Sequence, residues 1–196
     1  MTTTDMARST ANALKNKSPK IGGRDDRIDN AFDLWGMDHF ALPVKDVARM
    51  ELFVREVLGG EGYYYAGFDE SDRKMGRKPH LFMRIGNTLL QCTEESGPSY
   101  PKQDDNDISP HWAFGTTSAG LDKNVAWLRK QNIPVAGPYR HKDVDCVSIY
   151  FKSPEGHKLE ICTWQAYPEE KSKLMGAPGV GFLNWPRLAH DWSKKI

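Results

Sequence analysis

Two words recur in this chain at nearly one displacement, and a repeat of that kind restricts the possible fold more than composition can. His39-Phe40-Ala41-Leu42 answers to His111-Trp112-Ala113-Phe114, 72 positions on (39 to 111). Gly86-Asn87-Thr88-Leu89-Leu90-Gln91-Cys92 answers to Gly156-His157-Lys158-Leu159-Glu160-Ile161-Cys162, 70 positions on (86 to 156). Agreement between independent words marks a duplicated unit, each copy of which should form one small module.

The first copy predicts a strand over residues 35–44, where apolar residues alternate around His39 and the run closes at Pro43. Asp46 offers a helix N-cap, and Val47, Met50, Val54, Val57 and Leu58 follow at helical spacing until Gly59-Gly60. Tyr63-Tyr64-Tyr65 opens a second strand, residues 69–78 read as a solvated loop or hairpin, and residues 80–85 and 88–93 are strands joined at Gly86-Asn87. The second copy repeats the order. A strand over 111–116 leads to Ser118 as cap and Leu121, Val125 and Leu128 as the apolar face of a helix, which ends near Asn132-Ile133-Pro134. Strands over 135–139, 146–151 and 158–163 complete it. Both copies therefore read β-α-β-β-β, an α+β class of paired βαβββ modules whose curved mixed sheets would enclose a cavity. The expected divisions are a mobile tail (1–34), module 1 (35–95), a polar linker with Pro98 and Pro101 (96–109), module 2 (110–165) and an apolar C-terminal arm (166–196) that packs on the core or on a partner subunit.

Composition removes several classes of partner. A formal charge of +1 gives no whole-chain reason to bind nucleic acid or an anionic membrane. Cys92, Cys146 and Cys162 are odd in number and lack CxxC spacing, so they read as reduced strand residues rather than a disulfide framework. No run approaches the roughly 18 apolar residues of a membrane span, and Asp5, Asp25 and Asp26 argue against a transit peptide, so a cytoplasmic protein is expected. A homo-oligomer, dimer or higher, is expected as well.

The repeat places His39 and His111 on equivalent first strands and Glu160 on the last strand of the second copy. One buried histidine is usually satisfied by backbone, but two imidazoles and a carboxylate in matched positions are costly to bury without a shared purpose. A divalent metal ion on His39, His111 and Glu160 supplies one. His80 is the only other histidine between His39 and His111 and the one candidate there for a further part in the chemistry, and His157, just after the Pro154-Glu155-Gly156 turn, reads as structural or supporting rather than as a ligand.

These features resemble the vicinal oxygen chelate superfamily, which takes in glyoxalase I, fosfomycin-resistance enzymes, methylmalonyl-CoA epimerase and type I extradiol ring-cleaving dioxygenases. The resemblance covers residues 35–164, and Ser153-Pro154-Glu155-Gly156-His157-Lys158-Leu159-Glu160 is its most specific word. It implies paired βαβββ modules with a divalent ion at His39, His111 and Glu160. On the repeat alignment Leu90 stands at the first copy's equivalent of Glu160 and cannot ligate, unless Gln91 or Glu94 replaces it through a register shift. Three protein ligands then remain, and a face of two histidines and one carboxylate suits Fe(II), with Mn(II) able to share it.

Tyr150 lies ten residues before Glu160, and His141 nine before Tyr150, with Pro154-Glu155-Gly156 between. That order resembles the extradiol dioxygenases, from whose usual pattern Ser153 and Tyr139 depart. The resemblance implies an oxidoreductase of aromatic catabolism that cleaves a catecholic ring with O2 on Fe(II), His141 donating a proton and Tyr150 holding a substrate hydroxyl. The alternative on the same fold is a lyase, isomerase or thiol transferase acting on an epoxide or α-hydroxy carbonyl with Mn(II), Ni(II) or Zn(II). A drug-binding protein without catalysis is a third reading, against which all three ligand positions count.

Overall fold

A computed structural model describes residues 37–95 and 110–194. The expected tail and linker lie outside the described residues. The chain divides between residues 99 and 100 into two compact units.

In the first unit, β1 (His39–Val44) runs parallel to β4 (Thr88–Glu94), and β3 (His80–Ile85) and β2 (Glu61–Ala66) follow antiparallel, giving the order β1-β4-β3-β2. Strand alternation sends Phe40, Leu42 and Val44 into the core and His39 and Ala41 to the opposite face. Helix α1 (Val47–Glu56) buries Val47, Met50, Phe53 and Val54, one stripe at helical spacing. Its N-cap is Asp46, whose carboxylate accepts the Arg49 N–H at 2.9 Å. Gly86 turns the β3–β4 hairpin at φ 59°, a backbone region open to glycine at no steric cost. The segment expected as a loop holds a short helix, α2 (Glu70–Lys74), because Asp69 caps it through the Asp72 N–H at 2.8 Å. No α2 residue is buried, so a search for apolar periodicity finds nothing there.

The second unit repeats the plan. Strand β5 (Trp112–Gly115) lies parallel to β8 (Lys158–Thr163), followed by β7 (Val147–Lys152), β6 (Ala136–Arg140) and a two-residue strand, β9 (Lys173–Leu174), in the order β5-β8-β7-β6-β9. Helix α3 (Ser118–Lys130) buries Leu121, Val125 and Leu128 and packs on β7 and β8. Its cap is Thr117, not Ser118: Thr117 accepts the Gly120 N–H at 3.0 Å, while the Ser118 hydroxyl donates to the Ala166 carbonyl at 2.7 Å. That bond ties the start of α3 to the chain leaving β8.

Every residue of β7 and β8 is buried, so these strands are covered on both faces. Alternation gives Ile149, Phe151, Leu159 and Ile161 to the α3 side. The other face carries Ser148, Tyr150, Lys158, Glu160 and Cys162, with Tyr150 directly opposite Glu160 and Ser148 opposite Cys162. The C-terminal arm covers part of it: Leu183, Trp185 and Leu188 form a buried cluster with Tyr150. The arm also lends β9 to the sheet edge, which the apolar pattern of residues 166–196 does not announce.

A second anchor holds the arm to α3. Asp122 accepts the Tyr167 hydroxyl at 2.6 Å and the Lys171 ammonium at 2.9 Å, and these bonds hold its carboxyl below the ordinary 3.8. Tyr167, desolvated and bonded to that carboxylate, is pushed up to about 12. A depressed acid stabilises the fold above its unfolded pKa and loses that contribution as pH falls through the folded value. Asp122→Asn is therefore expected to lower Tm at neutral pH, with the gap to wild type closing below about pH 4. Thermal melts at pH 7 and pH 3 check this.

Candidate metal centre

Glu160 is the middle of the site. It is 6% exposed, on β8 at the centre of a three-strand run. Its Oε2 lies 2.7 Å from His111 Nε2, and its Oε1 accepts the Ser148 hydroxyl at 2.5 Å. Burial by itself raises a carboxylate, but the bonds from His111 and Ser148 and the nearby imidazole charge outweigh it and hold Glu160 below its usual value. The group is an anion with both oxygens occupied. Ala113 sits opposite Glu160 on β5, so only a methyl group borders the carboxylate on that strand.

Ser148 links Glu160 to the other predicted residues. Its Oγ lies 3.1 Å from His141 Nε2, and that nitrogen lies 3.2 Å from the Tyr150 hydroxyl. Ser148 gives its single hydrogen to Glu160, so toward His141 it can only accept, which places a hydrogen on Nε2. Burial first, then the Glu160 charge, pushes Tyr150 up, so it stays a phenol. Cys162 is pushed up to about 12 by burial and the same charge, and remains a thiol rather than a nucleophile. Cys146, read from sequence as an ordinary strand residue, forms with His141 and Glu160 a set whose donor atoms lie within 4.8 Å of one another.

The donors fit a divalent ion. Metal–ligand bonds of about 2.1 Å put neighbouring ligands about 3 Å apart, close to the 2.7 Å between His111 Nε2 and Glu160 Oε2. Ser148 supplies the hydrogen bond that orients the carboxylate, the arrangement expected behind a ligand. Ser148→Ala is expected to weaken Mn(II) binding about 10- to 100-fold while leaving far-UV circular dichroism unchanged. Calorimetric titration of the metal-stripped variant measures it.

In the first unit His39 is an exposed residue of β1. Its Nδ1 is 2.7 Å from Asp38 Oδ1, and its ring meets Phe82 edge-on at 5.3 Å. The strand register corrects the repeat alignment. Ala41 pairs with Gln91 as Ala113 pairs with Glu160, so Gln91, not Leu90, is the counterpart of Glu160. A two-residue turn at Gly86-Asn87 replaces the longer turn before β8, and the letters shift by one. Leu90 is core, and the Gln91 amide donates to Thr93 Oγ1 at 3.1 Å. His80 Nδ1 meets the Lys78 carbonyl at 2.9 Å, and His157 is buried in its turn with its backbone N–H on Ser153 Oγ.

Comparison with known proteins agrees on the fold and corrects the chemistry. The model of the Glyoxalase/Bleomycin resistance protein/Dioxygenase superfamily matches residues 36–161. Metallothiol transferase FosB of Staphylococcus epidermidis is 23% identical over 132 residues, 67% of this chain and 83% of that protein. Fosfomycin resistance protein FosX of Listeria monocytogenes is 25% identical over 126 residues, 64% of this chain and 87% of that protein. Among solved structures, a mutant of the Listeria FosX complexed with Mn(II) and 1S,2S-dihydroxypropylphosphonic acid aligns at TM-score 0.54 and 19% identity, covering 70% of this chain and 96% of that one. A glyoxylase/bleomycin resistance protein/dioxygenase domain from Frankia sp. EAN1pec aligns at 0.53 and 16%, covering 67% and 93%.

The metallothiol transferase and fosfomycin resistance relatives overturn the expected catechol dioxygenase, and with it the oxidoreductase and aromatic-catabolism reading and the roles for O2 and an aromatic substrate. The physical reason is that the His141–Tyr150–Glu160 spacing reports strand pairing, Tyr150 standing opposite Glu160, and not reactivity. A face of histidines and carboxylate serves non-redox Lewis acids equally well.

Proposed function

We propose, for a chain that belongs to the Glyoxalase/Bleomycin resistance protein/Dioxygenase superfamily, a divalent-metal enzyme that adds a thiol to a small epoxide or related electrophile without dioxygen. The observation that carries this reading is the buried Glu160 carboxylate, held between His111 and Ser148. The metallothiol transferase relatives support the reaction class. Mn(II), named in two of the Listeria FosX structures, is the ion of choice. The ligand face that suggested Fe(II) is one Mn(II) can share, and nothing in these relatives singles out iron.

His111 and Glu160 would hold the ion, and the repeat gives His39 the equivalent position in the first unit. With Asp38 on Nδ1, the His39 hydrogen is held there and the Nε2 lone pair is left to bind. When bound, the ion supplies a Lewis acid that polarises the electrophile's oxygen. Tyr150, a phenol with His141 Nε2–H behind it, donates to that oxygen. As the C–S bond forms and the C–O bond breaks, the oxygen takes the Tyr150 proton. The thiol's own proton then replaces the one Tyr150 gave, passing by way of the His141 imidazole.

Mn(II)-loaded protein incubated with fosfomycin and a panel of small thiols is expected to give the thioether adduct by mass spectrometry, at equal rates in air and under nitrogen. Metal-stripped protein should give none. Absence of adduct with every thiol and epoxide tried would remove the reading.

A further inference from the structure

Cys146 has no part in the chemistry proposed above, yet it stands among groups able to bind a cation. It is 6% exposed and immediately precedes β7, and His141 immediately follows β6. The His141 backbone N–H donates to the Cys146 carbonyl at 3.1 Å, which clamps the two residues across the exposed turn 142–145. Their side chains and that of Glu160 on β8 converge on one hydroxyl. Ser148 Oγ is 3.1 Å from His141 Nε2, 3.7 Å from Cys146 Sγ and 2.5 Å from Glu160 Oε1. The imidazole, thiol and carboxylate donors lie within 4.8 Å of one another.

We propose that His141 Nε2, Cys146 Sγ and Glu160 form a second cation site, for a thiophilic divalent ion such as Zn(II), on the Oε1 side of the carboxylate whose Oε2 meets His111. Nitrogen, sulfur and oxygen together are a set that zinc takes, whereas a thiolate is a poor match for Mn(II). Tetrahedral bonds of about 2.0–2.3 Å put donors roughly 3.5 Å apart, so the three close in by roughly 1 Å as the short Ser148 side chain rotates out of their centre. The Cys146 proton leaves to solvent as the sulfur–metal bond forms, and the His141 hydrogen moves to Nδ1. His141 is the half-buried edge of the set, and the turn beside it exposes Asp143 and Asp145 against one lysine, Lys142, a balance that favours the approach of a cation. The site needs no thiol transfer. Its consequence rests on the proposed function, because an ion here takes the His141 nitrogen that passes the proton there.

Binding is read on the full-length, metal-stripped protein, reduced and free of added thiol, so the outcome is independent of catalysis. Co(II) is the probe, because a cobalt–thiolate bond gives a near-ultraviolet charge-transfer absorption that nitrogen and oxygen ligands do not. The expected result is a band that saturates as Co(II) is added, is removed by excess Zn(II), disappears in Cys146→Ser and persists in His111→Ala. His141→Gln should weaken the apparent Kd by at least the roughly tenfold that losing a mere orienting partner costs. Cadmium-113 resonance of the wild-type protein, which moves far downfield with a sulfur ligand, keeps the test open if Cys146→Ser does not fold. Absence of the thiolate band and of the downfield cadmium signal overturns the proposal. So does a band that survives Cys146→Ser, one that is lost in His111→Ala, or a His141→Gln affinity within twofold of wild type.

Discussion

Glu160→Ala is expected to lower Mn(II) affinity by more than about 100-fold, beyond the loss seen when only an orienting partner of a ligand is removed. The variant deletes the one anion of the site and strips His111 Nε2 and the Ser148 hydroxyl of their acceptor. Leaving the buried Ser148 hydroxyl without this acceptor costs about 1–3 kcal/mol, so the metal-free protein should also melt at lower temperature. Glu160→Gln separates the two effects. Its amide oxygen can still accept from Ser148, so most of the stability should return while tight metal binding does not. Calorimetric titration for the metal and denaturant melts for the fold measure both, and a Glu160→Ala protein that keeps its ion would show that Glu160 is not a ligand.

Trp185→Ala should be the most damaging substitution in the arm, at about 3–5 kcal/mol, the range for emptying a buried aromatic site. The side chain is fully buried against Tyr150 and beneath Lys158, in a cluster with Leu183 and Leu188. Deleting it opens a cavity and exposes a lysine that packs against its ring. Trp185→Phe keeps most of the apolar volume and should recover most of the loss. Urea unfolding of the two variants tests this, and a loss below about 1 kcal/mol in Trp185→Ala would mean that the arm merely rests on the sheet.

The elements were legible where side-chain pattern and local chemistry agree. Lys158–Thr163 and His80–Ile85 match their expected bounds, and Asp46 caps α1 as its position before Val47 implies. What the letters concealed depends on register or on tertiary pairing. Nothing in Gly86-Asn87 reveals that its shorter turn moves the counterpart of Glu160 from Leu90 to Gln91. Ser118 looked like a cap because serine caps helices, but its hydroxyl is drawn to Ala166, 48 residues away, and Thr117 takes the role.

Strand alternation puts Ser148 and Tyr150 on one face, yet only the folded sheet shows that Ser148 bonds Glu160. Lys158 is buried against the Trp185 ring of the arm, a contact between segments far apart in sequence that no local pattern announces. The reaction class was misread for a related reason. Spacing records which residues face one another across a sheet, whereas metal identity and substrate decide the chemistry at that face.

The central proposal is that Glu160 and His111 hold one divalent ion. Electron paramagnetic resonance of Mn(II) added to metal-stripped, full-length protein tests it most directly, because the six-line signal of the free ion is lost on binding. The account predicts loss of that signal up to one equivalent per chain, and its persistence throughout the titration with Glu160→Ala or His111→Ala. A full-strength free-ion signal with the wild-type protein, or undiminished binding by both variants, would contradict it.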